Sequence, residues 1–366
     1  GVAMLTALLL GLLVALAIRS RTGPRLRFTA AAAVVTALAV GAAMIVFLPP
    51  RGPFDHPQYY AHGADIPRAL EAVDAAERSS RVLDQELDAQ LVGLARLVTQ
   101  PADRTSLTGQ PHVTVASDLH NNVLAVPILE RTAAGGPILF PGDLTDRGSP
   151  LETRLVQRVV RAGKPFVFVS GNHDSDTLVR ELASAGAIVL TQDGRLNPDG
   201  SHGAVVQRVA GLRVAGYSDP FERRASENFA DRYKPAPSPE QQDAFTSWLL
   251  GIEDQVDVVM VHEPALIEPA LAVLRDRPPS RPLVFVVGHT HIAELSQQPG
   301  VTVVNGGSIG AGGTGNLADT PTKIGIARLV YAIKPRFAPL AADLVSIDPA
   351  TGSATARRDR LDETAP

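Results

Sequence analysis

The chain contains no cysteine among its 366 residues. This absence excludes disulfide bonds, thiolate metal sites, iron–sulfur clusters and a cysteine nucleophile. Any metal ion would therefore have to be held by carboxylate, imidazole or amide groups. Disorder of the whole chain is also excluded, because 45% of the residues are hydrophobic and only 20% are charged.

Acidic residues are absent from the first fifty positions, which carry four arginines and a charge of +4. The rest of the chain holds the remaining 30 basic residues and all 38 acidic ones, so its charge is −8. An acidic balance of this size argues against a general polyanion binder, and no specific nucleic-acid partner is evident.

Two apolar runs without charged residues, 2–18 and 28–48, lie in this first part. A membrane-spanning helix needs about 20 apolar residues, so the two runs predict a transmembrane hairpin that contacts the lipid bilayer. The turn between them carries Arg19, Arg21, Arg25 and Arg27, and the positive-inside rule places such a turn in the cytoplasm. We therefore expect a multi-pass protein of the cell membrane whose following domain is extracytoplasmic.

A cleavable signal peptide and a buried helical hairpin are the two alternatives for these apolar runs. The presence of two runs, and the lack of a clear small-residue cleavage site after the first, disfavour a signal peptide. The lack of any polar face disfavours a buried hairpin.

The composition divides the chain into four parts. Residues 1–50 are the predicted hairpin, and residues 51–110 are a Pro/Gly-rich linker followed by an amphipathic pattern over 65–98. That pattern predicts a stalk or packing helix, with a dimerising coiled coil as the alternative. Residues 111–348 form the main domain, and residues 349–366 are a polar tail that we expect to be frayed.

In the main domain, short β-rich runs each end in a polar cluster, and helical stretches separate several of them. This alternation predicts an α/β fold, in which functional sites gather at the carboxyl ends of strands. Five of the nine histidines lie in these clusters, namely His120, His173, His262, His289 and His291. They are accompanied by Asp118, Asp143, Asp146, Asn172 and Asp174.

Imidazole and carboxylate groups without thiols suit divalent metals such as Mn, Fe or Zn. A single histidine at a strand end is more often structural than a ligand, but five together reverse that expectation. One mononuclear site cannot use so many ligands, so these residues predict two divalent metal ions.

The clusters resemble those of the calcineurin-like metallophosphoesterase family in both order and identity. The resemblance rests on five motifs: Asp118-x-His120, Gly142-Asp-x-x-Asp-Arg-Gly148, Gly171-Asn-His-Asp174, His262 and Gly288-His-x-His291. It covers a little over half of the chain and implies a four-layer α/β/β/α sandwich, here preceded by the two-helix transmembrane hairpin. The implied protein is a membrane-anchored, bacterial-type phosphoesterase that hydrolyses phosphate mono- or diesters.

The resemblance also implies roles for the metal ligands. Asp118, His120 and His291 would bind one metal, Asn172, His262 and His289 would bind the other, and Asp143 would bridge both. A hydroxide held between the two metals would attack the phosphorus atom in line.

Four further residues receive catalytic roles from the same resemblance. His173 would act at the leaving oxygen rather than as a ligand, with Asp146 or Asp174 orienting its imidazole. Arg147 is predicted to clamp phosphate oxygens, with a structural salt bridge as the alternative.

Several neighbouring residues receive weaker predictions. Asn121 and Asn122 are expected either to reach the substrate or to cap the next helix. Residues 305–308 resemble a turn of the family, with Gly306 in place of proline, and residues 309–315 predict a flexible rim loop. The histidines outside the motifs are expected to be surface or structural residues, namely His56, His62, His112 and His202.

A catalytically inactive metal-binding scaffold of the same fold is the alternative function. It is disfavoured because every expected ligand is present. The sequence leaves open the substrate, the choice between monoester and diester, and the oligomeric state.

Overall fold

The computed structural model describes residues 107, 109–222, 236–313, 322–349 and 353–361. The predicted transmembrane segments 2–18 and 28–48, the linker and the amphipathic pattern of 65–98 lie outside these residues. Within the described ranges, no helix combines the length and the apolar character that crossing a bilayer requires.

The first sheet has eight strands in the order β14-β13-β12-β1-β2-β3-β4-β5. Their bounds are β1 His112–Val115, β2 Ile138–Pro141, β3 Phe166–Val169, β4 Ile188–Thr191, β5 Gly194–Leu196, β12 Ile324–Ala332, β13 Ala338–Ile347 and β14 Ala354–Arg360. Strands β1 to β4 run parallel to one another, whereas β12, β13 and β14 are added antiparallel beside β1.

The second sheet has six strands in the order β10-β11-β9-β8-β7-β6. The bounds are β6 Gln207–Val209, β7 Leu212–Tyr217, β8 Val258–Val261, β9 Leu283–Val287, β10 Ala293–Gln298 and β11 Val301–Gly306. Its four central strands, β11, β9, β8 and β7, pair in parallel, and an antiparallel strand closes each end.

The described α-helices are α1 Val126–Ala133, α2 Pro150–Val156, α3 Asp176–Ser184, α4 Pro239–Ile252 and α5 Pro264–Asp276. Serine side chains start three of them, because the hydroxyls of Ser149, Ser175 and Ser238 accept hydrogen bonds from first-turn amides. Short 3-10 helices cover Val123–Ala125, Gln157–Ala162 and Glu253–Gln255.

Three apolar clusters separate four layers of these elements. Leu129 of α1 and Phe140 of β2 belong to the cluster between the first helices and the eight-stranded sheet. Leu139 of β2 points the other way and shares a cluster with Val258 of β8, between the two sheets. Phe245 of α4 lies in the third cluster, on the outer side of the six-stranded sheet. The prediction of a mixed α/β fold with two sheets is confirmed.

The tail predicted to be frayed is partly a strand. Residues Ala354–Arg360 form β14, which pairs antiparallel with β13, so the prediction is wrong for this segment. The Arg358 guanidinium donates two hydrogen bonds to Asp343 of β13, at 2.6 and 2.8 Å. The polar composition suits an edge strand that presents much of its surface to solvent.

Candidate metal centre

The loops that follow β1, β2, β3, β8 and β9 contact one another. The Asp118 amide donates to the Gly142 carbonyl oxygen at 3.0 Å, and the Gly288 amide donates to the His262 carbonyl oxygen at 3.0 Å. The His262 imidazole Nδ1 lies 2.7 Å from the Pro141 carbonyl oxygen, which joins the loops of the two sheets. The strand-end clusters therefore converge, as the sequence predicts.

Six of the seven predicted metal ligands fall into two compact groups, and the seventh, Asn172, lies beside the second. Within each group, one ligand atom per residue lies within 4.8 Å of the others. The first group is Asp118, His120 and His291, and the second is Asp143, His262 and His289.

The first group surrounds a carboxylate oxygen that lacks a hydrogen bond. Asp118 Oδ1 is buried without a partner, and the Nε2 atoms of His291 and His120 lie 3.4 and 3.7 Å from it. These two nitrogens are 3.1 Å apart. An unpaired buried carboxylate oxygen costs free energy, which a divalent cation among these three atoms would offset. The residues therefore fit a metal ion.

Charge in this group is strongly perturbed. Burial alone would raise the pKa of Asp118, but the hydrogen bonds with His120 and His291 hold it well below its usual range. Burial alone would lower the pKa of His120, yet its contacts with Asp118 and Asp146 raise it to about 10. The group thus favours positive charge between the carboxylates, and a metal ion would compete with the imidazole proton for that place.

The second group is arranged around a fully buried imidazole. With Nδ1 of His262 donating to the Pro141 carbonyl, Nε2 faces the Asn172 Oδ1 atom at 3.1 Å and Asp143 Oδ2 at 3.2 Å. The His289 Nδ1 atom lies 3.2 Å from the same Asn172 oxygen. Burial opposes a positive charge on His262, but Asp143 raises its pKa well above the ordinary value. Converging lone pairs of this kind fit a second cation.

The Asp143 carboxylate lies between the two groups. Its Oδ2 atom is 3.2 Å from His262 Nε2 and 3.7 Å from His120 Nε2. The side chain is almost completely buried. This is the position that a bridging ligand requires.

His173 lies at the accessible side of the cluster. Its Nδ1 atom hydrogen-bonds with the Asp146 backbone carbonyl, and its Nε2 atom is 3.9 Å from Asp143 Oδ2. About a quarter of the side chain is exposed, at 26%. His173 also forms a metal-compatible group with His120 and Asp143, so its distances suit either a ligand or an acid at the leaving oxygen.

Two carboxylates hold the outer nitrogens of ligand histidines, and the sequence reasoning did not identify these contacts. Asp146 Oδ1 lies 3.2 Å from His120 Nδ1. Glu263 Oε2 lies 3.1 Å from His289 Nε2, while its Oε1 atom accepts a hydrogen bond from the Ala265 amide at the start of α5. Such contacts fix the tautomer and orientation of a metal-binding imidazole. The only signal for Glu263 was its position next to His262.

Asp174 braces the centre instead of orienting an imidazole, so its predicted role beside the His173 ring is wrong. Burial first, and then the charge of Asp143, raise the pKa of Asp174 to about 7. Its carboxylate joins the loop after β2 to the loop after β3, because it accepts hydrogen bonds from the amides of Asp143, Leu144, Thr145 and Gly171.

The backbone at the ligands adopts an uncommon conformation. Five non-glycine site residues have a left-handed backbone, namely Asp118, His120, Asp143, His289 and His291, with φ between 46° and 69°. Close approach explains one adjacent glycine: a Cβ atom on Gly171 would lie 2.2 Å from Asp143 Oδ1. The surrounding fold holds strained ligand positions of this kind in place.

Neither asparagine after the first motif caps a helix. The Asn121 amide nitrogen donates to Asp146 Oδ2 at 2.9 Å and to Glu152 Oε1 at 2.7 Å. The Asn122 side chain donates to the Gly310 carbonyl at 2.9 Å and makes no capping hydrogen bond. The capping alternative is therefore wrong. Arg147 is exposed, and its clamp role stays a prediction.

The segment after β11 supports the first group. Asn305 donates to the Gly288 carbonyl at 2.8 Å, and Ser308 donates to the Asp118 carbonyl at 2.7 Å. Residues 309–313 are mostly buried, and the Gly310 amide also donates to the Asp118 carbonyl. For these five residues the prediction of a flexible rim loop is wrong, whereas 314 and 315 lie outside the described residues.

The remaining histidines lie outside the metal groups where they are described. His112 on β1 has its Nδ1 atom 3.0 Å from an Arg328 guanidinium nitrogen, and His202 is exposed. His56 and His62 lie outside the described residues.

The family model for the calcineurin-like phosphoesterase superfamily domain matches residues 112–322, which is more than half of the chain. The fold and the site thus define an α/β protein with a metal-compatible histidine and aspartate centre. The chain belongs to the calcineurin-like phosphoesterase superfamily.

Individual relatives are distant or cover only part of the chain. The uncharacterized Bacillus subtilis (strain 168) protein YpbG is 30% identical over 95 residues, which are 24% of this chain and 36% of YpbG. A provisionally assigned 5′-nucleotidase from Staphylococcus aureus is 15% identical, with a TM-score of 0.42 over 64% of this chain and 53% of its own. The TT1561 protein of Thermus thermophilus is 13% identical, with a TM-score of 0.40 over 68% of this chain and 98% of its own. The matches thus span about a third of YpbG and half of the S. aureus chain.

Proposed function

We propose that the chain is a metal-dependent phosphoesterase with a dinuclear centre. The observation that supports this most is the position of the buried Asp143 carboxylate between the two ligand groups, 3.2 Å from His262 and 3.7 Å from His120. Each group offers oxygen and nitrogen donors only, which suits Mn, Fe or Zn.

In this proposal Asp118, His120 and His291 hold one ion, Asn172, His262 and His289 hold the other, and Asp143 contributes to both. When bound, the ions would activate a water molecule and neutralise charge on the phosphoryl oxygens. The described contacts of Asp146 with His120 and of Glu263 with His289 would keep the ligand nitrogens facing the ions.

His173 is proposed to protonate the leaving oxygen. Its Nδ1 atom is held by the Asp146 carbonyl, so the ring is fixed with Nε2 toward the cluster. The neighbouring Asp143 carboxylate, 3.9 Å away, favours the protonated form of this ring. Arg147 is proposed to bind phosphoryl oxygens from the surface of the loop that carries Asp143 and Asp146.

We also propose that residues 2–18 and 28–48 anchor the protein in the cell membrane, with the phosphoesterase domain on the extracytoplasmic side. The support is the pair of uncharged apolar runs and the four arginines between them. The phosphoester substrate remains a mono- or diester at this level of the proposal.

The activity is tested with the purified full chain, stripped of metal and reloaded with Mn²⁺, acting on p-nitrophenyl phosphate and bis-p-nitrophenyl phosphate. Asp143→Asn should lower the bound metal below two ions per chain and abolish turnover. His173→Ala should keep two ions and slow turnover by about 10²- to 10⁴-fold, as expected for loss of a general acid. Glu130→Gln, at an exposed position on α1, is the matched control.

Two results would contradict parts of this proposal. Two bound ions without turnover of either ester would favour the inactive metal-binding scaffold. A His173→Ala protein that loses an ion would instead make His173 a ligand, which its group with His120 and Asp143 permits.

A further inference from the structure

A cavity of about 660 Å³ lies between the end of β7 and the start of α3. Among the residues that line it are Asp176, Gln192, Tyr217, Asp219 and Phe221. None of the seven proposed metal ligands lines it. The cavity is therefore separate from the metal centre, and no role has been assigned to it above.

The cavity nevertheless shares a wall with the centre. The Asp219 amide donates to the Ser170 carbonyl oxygen at 3.2 Å, and Ser170 lies two positions before the proposed ligand Asn172. On the other side, Asp176 follows His173 by three positions. The loop that carries His173 thus separates the leaving-group side of the centre from the cavity.

Three acceptor oxygens of the lining residues are buried and have no hydrogen-bond partner. They are Asp219 Oδ2, Gln192 Oε1 and Asp176 Oδ1. Asp219 is the most enclosed, with 4% of its surface exposed. Buried acceptors without partners are uncommon and cost free energy, so three at one cavity indicate a ligand that supplies donors.

The lining also has a marked excess of negative charge. It contains five carboxylates, those of Asp176, Asp193, Asp219, Glu222 and Glu240, but only one arginine, Arg180. That arginine is already paired with Asp176 at 3.2 Å. Tyr217 and Phe221 add aromatic faces, which attract cations. A donor-rich group with a positive charge is therefore the complementary ligand.

We propose that this cavity receives the ammonium group of an amino-alcohol leaving group, so that the substrate class is phosphoesters of amino alcohols. This inference rests on the proposed phosphoesterase function and narrows it. Such an ester occurs both as a free phosphoester and as a lipid headgroup, and the same ammonium chemistry serves either.

The test measures phosphate or headgroup release by the metal-loaded full chain from charged and neutral partners of similar size. Phosphoethanolamine is compared with ethylene glycol monophosphate, and vesicles of phosphatidylethanolamine are compared with vesicles of phosphatidylglycerol. We expect at least a tenfold higher kcat/KM for the ammonium member of one pair. The pair that shows the preference identifies a free ester or a lipid as the source.

The charge of Asp219 should carry this preference. Asp219→Asn should reduce the ratio of the two kcat/KM values by at least fivefold, mainly through KM of the ammonium substrate. Glu130→Gln removes a carboxylate outside the cavity and should leave the ratio unchanged. If Asp219→Asn does not fold, Asp176→Asn tests the same charge at the edge of the cavity and should reduce the ratio less.

Binding of ethanolamine by calorimetry, with ethylene glycol as the uncharged match, separates this inference from the proposed function. Ammonium binding that weakens in Asp219→Asn without turnover of any ester would overturn the phosphoesterase and retain the ammonium site. Turnover of p-nitrophenyl phosphate with equal use of charged and neutral esters, and no ethanolamine binding, would overturn the ammonium site alone.

Discussion

At the scale of single residues, the centre depends on groups that touch the ligands as much as on the ligands themselves. Glu263 divides its carboxylate between two tasks, since one oxygen caps α5 and the other lies 3.1 Å from His289 Nε2. Asp146 makes the corresponding contact with His120. These two acids fix which nitrogen of each imidazole faces the cluster.

Glu263→Asp should separate these two tasks. The shorter side chain can still cap the helix, because aspartate is a preferred N-cap residue, but it cannot reach His289. We expect an unchanged unfolding midpoint and a roughly 10- to 100-fold weaker affinity for Mn²⁺, as is usual when the outer contact of a metal-binding histidine is lost. Metal titration and thermal unfolding of the same samples measure both.

Glu263→Gln is the companion variant, because it keeps the length and an acceptor oxygen. Affinity near the wild-type value in this variant would assign the role to the hydrogen bond rather than to the charge. Full Mn²⁺ affinity in Glu263→Asp would show that the contact with His289 does not position it.

Residue-scale prediction succeeded where chemistry directly follows a strand. Asp118, Asp143 and His262 each stand just beyond a short β-rich run, so the sequence alone indicates that they meet. The contacts of Glu263 and Asp146 depend on how separate loops face one another, and spacing along the chain does not specify this. The role of Asp174 was wrong for the same reason, since its partners are backbone amides of another loop.

At the scale of elements, the eight-stranded sheet ends in a strand that composition does not reveal. β14 is polar because much of it is exposed, and such a strand has the composition of a tail. The parallel strands β1, β2 and β3 are fully or almost fully buried and apolar, and for that reason they were recognisable as strands.

Arg358→Ala should show that β14 belongs to the folded domain. Arg358 makes two hydrogen bonds to Asp343, whose side chain is only 7% exposed, so the variant leaves a largely buried carboxylate without that partner. We expect the free energy of unfolding to fall by about 1–3 kcal/mol, the range for hydrogen bonds to a charged group. Urea-induced unfolding measures it.

Arg357→Ala is the matched control on the same strand. Its side chain is 64% exposed and pairs with Asp359 at the surface, so the expected change is below about 0.5 kcal/mol. Equal changes in the two variants would contradict the assignment of β14 as a structural strand.

At the scale of the whole molecule, charge and hydropathy divide the chain more sharply than its net charge of −4 suggests. The first fifty residues are basic and apolar, and the rest is acidic. The described residues account for the superfamily fold, while the proposed anchor rests on the sequence.

The proposed topology predicts where reporters fused to the chain become active. A reporter that works only outside the cytoplasm should be active when fused after Pro50, because the four arginines hold the preceding turn inside. The same reporter fused after Gly23, within that turn, should be inactive. Activity only at Gly23 would refute the outward orientation of the domain.

The left-handed backbone at Asp118, His120, Asp143, His289 and His291 has a kinetic consequence. Because folding itself holds these residues in place, the conformational cost of bringing the ligands together is met before any ion arrives. The chain then has little left to reorganise when metal associates. The rate of loading should accordingly follow how readily each ion sheds its water, so that Mg²⁺, which dehydrates reluctantly, would enter slowly.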